Sequence, residues 1–367
     1  MNRQTTFAMV LILTIPAASH GQHSLEDFMD AHSRTRGKPK VDPYEFIRWN
    51  AFNRAGWRAL SKGYFDTAEH EFASAIEVAK KEASIDKDNR LLARSYADYA
   101  LALQSQGRHA EAEPLVKWVL LAREAELEAD SPAIVQTLNQ LGTLYYELGQ
   151  FKEAELYLKR AVDQQAKSAR PNAFEYSRSE TLLGLVLVTQ RRYDEAESPF
   201  RQAITLREQS QGPSNVDTGD ALSNLAWVYL QQGKFAEARP MLMRALKIFE
   251  QSRGSADPSV AHTYHGLAKI QASQGENEEA ETKYLQAIAI WDSKPELDAA
   301  ALVEVLRDYA AFLEKLGRAE DLVKIKARLT PLQAKYSANS NRAERWYRWP
   351  DTTKAPANDL GTRRNRT

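Results

Sequence analysis

The chain has 367 residues, with 49 Lys and Arg against 49 Asp and Glu, so its formal net charge is zero. This balance gives no electrostatic reason to expect nucleic acid or an anionic membrane as the main partner. Cysteine is absent, which excludes a disulfide framework, a thiolate metal site and a cysteine nucleophile.

The first 21 residues are typical of a secretory signal peptide. Arg3 precedes an apolar run from Phe7 to Ala18, and small residues follow at Ser19 and Gly21. The run is shorter than the roughly 20 residues that span a bilayer as a helix, so we expect cleavage near Ser19 or Gly21 and no membrane anchor. The alternative is a buried N-terminal helix. An exported protein without cysteine is typical of the bacterial periplasm or the extracellular medium.

Residues 22–42 are polar and contain a Gly-Lys-Pro-Lys break, which predicts a flexible lead-in. From Pro43 to Leu329 the chain repeats every 42 or 44 residues. The repeat is marked by an alanine in the pattern Gly-x-aromatic-x-x-Ala, at Ala68, Ala112, Ala154, Ala196, Ala238 and Ala280, with Leu322 in the same place at the end.

Each marker residue has small residues at fixed distances before it. Five residues before the marker there is a glycine, except at Arg191, and this predicts a left-handed turn between two helices. Twelve residues before it there is Gly or Ala, which predicts a close crossing of the two helices. Because a single hairpin cannot bury both of its sides, the sequence predicts an all-α stack of helical hairpins.

This pattern resembles the tetratricopeptide repeat, and its 42-residue unit is similar to kinesin-light-chain-type repeats. The segment ALSNLAWVYLQQGKFAEARPMLMRALKIFEQSRGSADPSVA, Ala221 to Ala261, keeps the family's Leu-Ala-x-x-Tyr first helix, the Gly-Lys-aromatic turn and the Asp-Pro-x-Val-Ala start of the next hairpin. The resemblance implies an all-α, right-handed superhelix (solenoid) of about seven hairpins over residues 43–329. It also implies protein or peptide binding, because the family is a scaffold used in many settings. We therefore predict a partner-binding scaffold that is not an enzyme and has no cofactor.

In such a stack the first helix of each hairpin lines the concave face. Amides on that face suit the backbone of an extended peptide, and tryptophans suit an apolar side chain. The resemblance adds that asparagines in a Leu-Asn-Asn-Leu segment hold peptide backbone, and the segments 138–141 and 222–225 each keep one of the two. The predicted partner-binding residues are Asn53, Trp57, Arg94, Gln136, Asn139, Gln140, Arg178, Ser223, Asn224, Trp227, His265, Lys269 and Arg307. The alternative is that these side chains solvate the groove or bridge adjacent hairpins.

A metal-dependent or hydrolytic enzyme built on the superhelix is the alternative function. His262 and His265 lie three residues apart on one helix, with Asp220 and Glu304 on the flanking hairpins, so a site of two histidines and a carboxylate is conceivable. The alternative is a pair of groove histidines that form hydrogen bonds, and we predict no metal site. The sequence has no glycine-rich phosphate loop after a strand and no G-x-S-x-G motif.

The C-terminal end lies outside the repeats. Residues 330–349 are predicted to form a short capping segment over the last hairpin, and residues 350–367 a disordered basic tail. Trp346, Tyr347 and Trp349 stand among basic residues, so the alternative is a hook onto cell-wall polymer, lipid headgroups or a partner protein.

Overall fold

The computed structural model describes residues 42–86, 89–128, 131–294 and 299–340. Regular structure in these ranges consists of 14 α-helices, with no strand. The described residues form two compact units that divide after Thr137: an N-terminal unit, residues 42–137, and a C-terminal unit, residues 138–340. The predicted signal peptide, the lead-in before Asp42 and the predicted tail lie outside the described residues. No helix of the described part is long and apolar enough to cross a lipid bilayer.

The helices follow one another as seven helix–turn–helix hairpins, which confirms the predicted all-α fold. The hairpins are α1 (Pro43–Leu60) with α2 (Phe65–Asp86), α3 (Arg90–Ser105) with α4 (His109–Glu126), α5 (Pro132–Glu147) with α6 (Phe151–Lys167), α7 (Ala173–Thr189) with α8 (Tyr193–Gln211), α9 (Val216–Gln231) with α10 (Phe235–Ser252), α11 (Pro258–Gln274) with α12 (Asn277–Asp292), and α13 (Ala299–Lys315) with α14 (Ala319–Ser340).

The turn inside each hairpin has the predicted left-handed residue. Six of these residues are glycines with φ between 70° and 80°. Arg191 occupies the seventh position, with φ of 59°, and is the one non-glycine residue with positive φ in the described ranges. A side chain in this conformation is strained, so the geometry of the turn is kept against the local preference of Arg191. The six glycines are Gly63, Gly107, Gly149, Gly233, Gly275 and Gly317.

Close crossing of the two helices is also confirmed. A Cβ atom added at Gly184 on α7 would lie 2.7 Å from Cζ of Phe200 on α8, and one at Gly142 on α5 would lie 2.5 Å from Leu158 on α6. The first helix therefore has no room for a side chain where a large residue of the second helix packs. All six marker alanines are fully buried at these crossings.

Ion pairs between consecutive hairpins recur at one position of the repeat, and we call this set the ion-pair ladder. Each pair joins the residue directly after one marker to the residue four before the next marker, with nitrogen–oxygen distances of 2.5–3.3 Å. In one pair the charges are exchanged, since Arg239 stands in the acidic position and Glu276 in the basic one. The pairs are Glu69–Arg108, Glu155–Arg192, Glu197–Lys234, Arg239–Glu276 and Glu281–Arg318.

The last helix runs across a predicted boundary. The helix α14 continues from Ala319 to Ser340 with Pro331 inside it, so no break separates the predicted end of the array at Leu329 from the start of the predicted capping segment. Leu332, beyond the predicted boundary, is partly buried against the core of the C-terminal unit. Burial of this side chain gives the helix an apolar contact past the proline.

Candidate functional site

Four side chains from three successive first helices meet in the C-terminal unit. Trp227 lies on α9, His265 and Lys269 lie one turn apart on α11, and Asp308 lies on α13. The first helices α9, α11 and α13 also contact one another in this order. We call these four residues the Trp227–Asp308 cluster.

Asp308 is the centre of the cluster. Its Oδ2 lies 2.9 Å from Nε2 of His265 and 2.9 Å from Nζ of Lys269. Burial alone would raise the pKa of the Asp308 carboxyl, but the hydrogen bond to His265 and the charges of His265 and Lys269 hold that pKa well below its usual range. Asp308 is therefore a carboxylate at neutral pH, and it fixes both side chains of α11.

Trp227 forms the more open side of the cluster. Its indole is half-buried, and Nζ of Lys269 lies 5.4 Å from the ring centroid, in the position of a cation–π contact. The centroid of the His265 ring lies 6.5 Å from that of the indole. The cluster thus offers part of an aromatic ring beside a paired cation and anion.

The amides predicted to hold a peptide backbone do not share one environment. Asn139 is fully buried and donates from Nδ2 to the backbone oxygen and a carboxylate oxygen of Glu175, while its Oδ1 accepts from Ser179. Its donor and acceptor thus bridge two hairpins, which is the alternative role given above for these positions. Asn53 and Asn224 are also buried, but the Nδ2 atom of each has no hydrogen-bond partner among the described residues.

Other predicted positions lie beside neighbours that restrict them. Trp57 is half-buried, with its ring 5.8 Å from Phe72 in an edge contact. Arg94 donates from Nε to Asp98 at 2.8 Å on the same helix. Gln140 is buried, and the four remaining predicted positions are half-buried: Gln136, Arg178, Ser223 and Arg307.

Asp308 is not among the predicted partner-binding residues. The residue lies 14 positions before its marker, Leu322, at the same offset as Asn224 and Gln140, which were both included. On the last hairpin the predicted residue is the neighbouring Arg307. The shared offset is the signal that would have identified Asp308.

The residues of the alternative metal site have other roles in the structure. His265 is held by Asp308, and both carboxylate oxygens of Asp220 accept from Arg253, at 3.1 and 3.0 Å. The His262 ring packs against Trp291 with 4.9 Å between centroids. Burial, with a smaller effect of the charge of His265, lowers the pKa of His262 to about 3. Within the described ranges no group of three or more His, Asp or Glu side chains is placed to hold a metal ion.

Comparison with solved structures identifies the same fold in several proteins. BtubC (BKLC) from P. vanneervenii is 19% identical, with a TM-score of 0.50 over 64% of this chain and 90% of that one. PilF of Pseudomonas aeruginosa is 17% identical, with a TM-score of 0.51 over 73% and 99%. RapI in its apo form is 16% identical, with a TM-score of 0.52 over 69% and 98%. At these identities the likeness concerns the fold alone.

The family is established by sequence. No curated protein matches the chain, but the tetratricopeptide repeat model matches residues 91–167, 176–251 and 231–293, which together make up just over half of its length. The solved structures that it resembles also include repeats of a putative kinesin light chain. The chain belongs to the tetratricopeptide repeat family.

Proposed function

We propose that this protein is an exported interaction scaffold whose first helices bind an extended segment of a partner protein on the concave face of the repeats. The coarser role, a protein-interaction scaffold, follows from the family. The peptide character of the ligand, the face that it uses and the export are our own additions.

The observation that carries the proposal is the half-buried indole of Trp227 on a face lined by polar side chains. A rigid aromatic ring offers a large contact area at a small loss of conformational entropy, and tryptophan is among the residues that dominate binding energies at interfaces. The indole packs against Lys269 and His265 rather than inside the hydrophobic core. It is therefore the most suitable anchor for an apolar side chain of the partner.

Asn224 supports the same site. It lies three residues before Trp227 on α9, so the two side chains leave the helix on neighbouring sides. Its unpartnered Nδ2 group represents a loss of about 1–3 kcal/mol for a buried donor. If the side chain turns toward the face, a carbonyl oxygen of an extended peptide would satisfy this donor, which favours binding of main chain over binding of a particular sequence.

A displayed library of random peptides tests the proposal without knowledge of the natural partner. Peptides selected on the wild-type protein are expected to bind the Trp227→Ala variant at least tenfold more weakly, about 1.4 kcal/mol, by isothermal titration calorimetry. Helix content should stay unchanged, because the indole is only half-buried.

A matched control uses the exposed surface of a second helix. Lys152 and Leu156 lie one turn apart on α6, and both are exposed. The Lys152→Ala, Leu156→Ala variant should bind the selected peptides like the wild type. Weaker binding by this control, together with unchanged binding by Trp227→Ala, would place the ligand elsewhere and refute the proposed site.

Export has its own test. We expect the mature protein to begin near His20 or Gln22 and to be recovered from the soluble envelope or extracellular fraction, because the apolar run of the first 21 residues is short. N-terminal sequencing of protein purified from the source cells gives the answer directly. An intact Met1 in the cytoplasmic fraction would contradict export and leave the binding proposal standing.

A further inference from the structure

The first hairpin has a side that is covered in every later hairpin. The residue 17 positions before the marker is fully buried in hairpins two to seven. The preceding hairpin packs on it, as where Trp49 donates to Ser95 at 2.7 Å. In the first hairpin the same position is Ala51, which is exposed, and no described residue except Asp42 precedes this hairpin. The six buried equivalents are Ser95, Thr137, Ser179, Ala221, Thr263 and Val305.

This side of α1 is apolar in its first half and basic in its second half. Tyr44 and Ile47 are 67% and 63% exposed, and Ala51 follows them. Arg54 and Arg58 are exposed further along the helix, and neither forms an ion pair with a described residue. At 100° per residue these five side chains leave the helix within an arc of about 80°. We call them the upstream face of α1.

The opposite end of the array is finished differently. On α14 the exposed positions Lys326 and Thr330 correspond to Tyr284 and Ile288 on α12, which are buried. One large apolar side chain, Val323, is exposed on α14. Polar residues thus replace the stacking contacts at the end of the array, as terminal repeats require for solubility. The last hairpin of a second copy would therefore offer little apolar surface to the upstream face of α1.

We propose that the upstream face of α1 binds the same face of a second copy of this chain, with the two α1 helices antiparallel about Ala51. A two-fold contact needs a face that is complementary to itself. The upstream face has this property, because Tyr44 stands seven residues before Ala51 and Arg58 stands seven residues after it. A two-fold axis at Ala51 brings the aromatic end of each copy onto the basic end of the other.

The side chains that meet across this axis have compatible chemistry. Tyr44 of each copy meets Arg58 of the other, and a guanidinium stacks well on an aromatic ring. Ile47 meets Arg54 of the other copy, whose aliphatic stem covers apolar surface while its charge stays in water. Ala51 meets itself, and its small side chain lets the two helices approach closely. A parallel pair would instead place Arg58 on Arg58, with repulsion between the two cations.

The size of the contact indicates a reversible dimer. The helix α1 has 18 residues, so it is about 27 Å long at 1.5 Å per residue. A single helix pair of this length is small beside the roughly 1,200–2,000 Å² that stable interfaces bury. We therefore expect an equilibrium between monomer and dimer that depends on the protein concentration.

Sedimentation equilibrium of the whole chain over a range of concentrations tests the dimer. The wild type should change from the mass of one chain to the mass of two as the concentration rises. Ile47→Lys should weaken this association at least tenfold, because it removes the apolar contact and places a cation beside Arg54 of the other copy. Its circular dichroism should stay unchanged, since Ile47 is exposed.

A matched control changes an equally exposed apolar residue elsewhere in the N-terminal unit. Leu121 on α4 is 67% exposed, and Leu121→Lys should associate like the wild type. A wild type that stays monomeric means that another occupant covers the face, and this overturns the proposal. Equal association of Ile47→Lys and the wild type, or equal weakening by both substitutions, also overturns it.

Cross-linking of introduced cysteines tests the direction of the pair, because the chain has no cysteine of its own. A short bis-maleimide should join two chains through Ala51→Cys, which lies at the axis, but not through Ala73→Cys, an exposed position on α2. Tyr44→Cys should link to a chain with Arg58→Cys and not to itself, because its two copies would stand about 21 Å apart along the helices. Linking of Tyr44→Cys to itself, or equal linking at Ala51→Cys and Ala73→Cys, would contradict the antiparallel pair.

Discussion

Arg191→Gly is expected to stabilise the protein, although it removes a large side chain from a helical repeat. Arg191 has φ of 59° in a turn where the six equivalent residues are glycines. The left-handed conformation costs a residue with a side chain roughly 1–2 kcal/mol. Glycine loses about 0.5–1 kcal/mol more backbone entropy on folding, so the net gain is about 0.5–1 kcal/mol. The Arg191 side chain is exposed, so little packing is lost.

Urea unfolding followed by circular dichroism measures this gain, and the reciprocal variant provides the control. A Cβ atom at Gly233 would meet nothing within 4 Å, so Gly233→Arg changes only the backbone preference and should cost about 1 kcal/mol. Because repeat arrays can unfold in parts, amide exchange in α7 and α8 should report the gain at Arg191 locally. A loss of stability in Arg191→Gly would refute the reasoning, since it would mean that the side chain makes a contact worth more than the strain.

Two further predictions concern α7. Burial raises the pKa of Glu180 from its ordinary 4.5 to about 7. Between these pH values the carboxyl is ionised in the unfolded chain but protonated in the folded one, so the free energy of unfolding should fall as pH rises. In urea titrations at several pH values, Glu180→Gln should remove this contribution to the pH dependence. Gly184→Ala places Cβ 2.7 Å from the buried ring of Phe200. The cost of overpacking, about 1–3 kcal/mol, should exceed the gain in helix propensity of about 1 kcal/mol, so the melting temperature should fall. An unchanged melting temperature would show that the ring moves freely.

The fold was predictable because its signals are local and repeated. A glycine that ends a helix and a small residue at a crossing act within one hairpin, so seven copies of the pattern determine the hairpins before any tertiary contact is known. Arg191 shows the strength of this argument, since the turn keeps its left-handed geometry even where the residue type opposes it. Local signals do not predict the helix around Pro331. The helix continues past this proline, and Leu332 after it packs against the core in a tertiary contact.

The candidate site was predictable only in part, because it depends on how hairpins rotate against each other. One residue along a helix turns a side chain by about 100°. Position in the repeat alone does not determine the contact, because Asn139 and His265 both lie 15 residues before their markers, yet Asn139 binds Glu175 and His265 binds Asp308. The sequence contains no local signal that separates these two orientations, since both depend on the packing of neighbouring first helices.

The five ion pairs of the ladder have a regular placement that bears on the site. In the ion-pair ladder, acids and bases next to the turns and on the second helices neutralise each other between consecutive hairpins, and the exchanged pair Arg239–Glu276 keeps the pairing with the signs reversed. Those charges stabilise the stack and are already satisfied. Lys269 and Asp308 differ from the ladder because their ion pair joins two first helices beside Trp227. A charged side chain of a partner that docks on Trp227 would therefore meet this pair. Competition for Lys269 or Asp308 would then let the proposed face discriminate between partners by the sign of their charge.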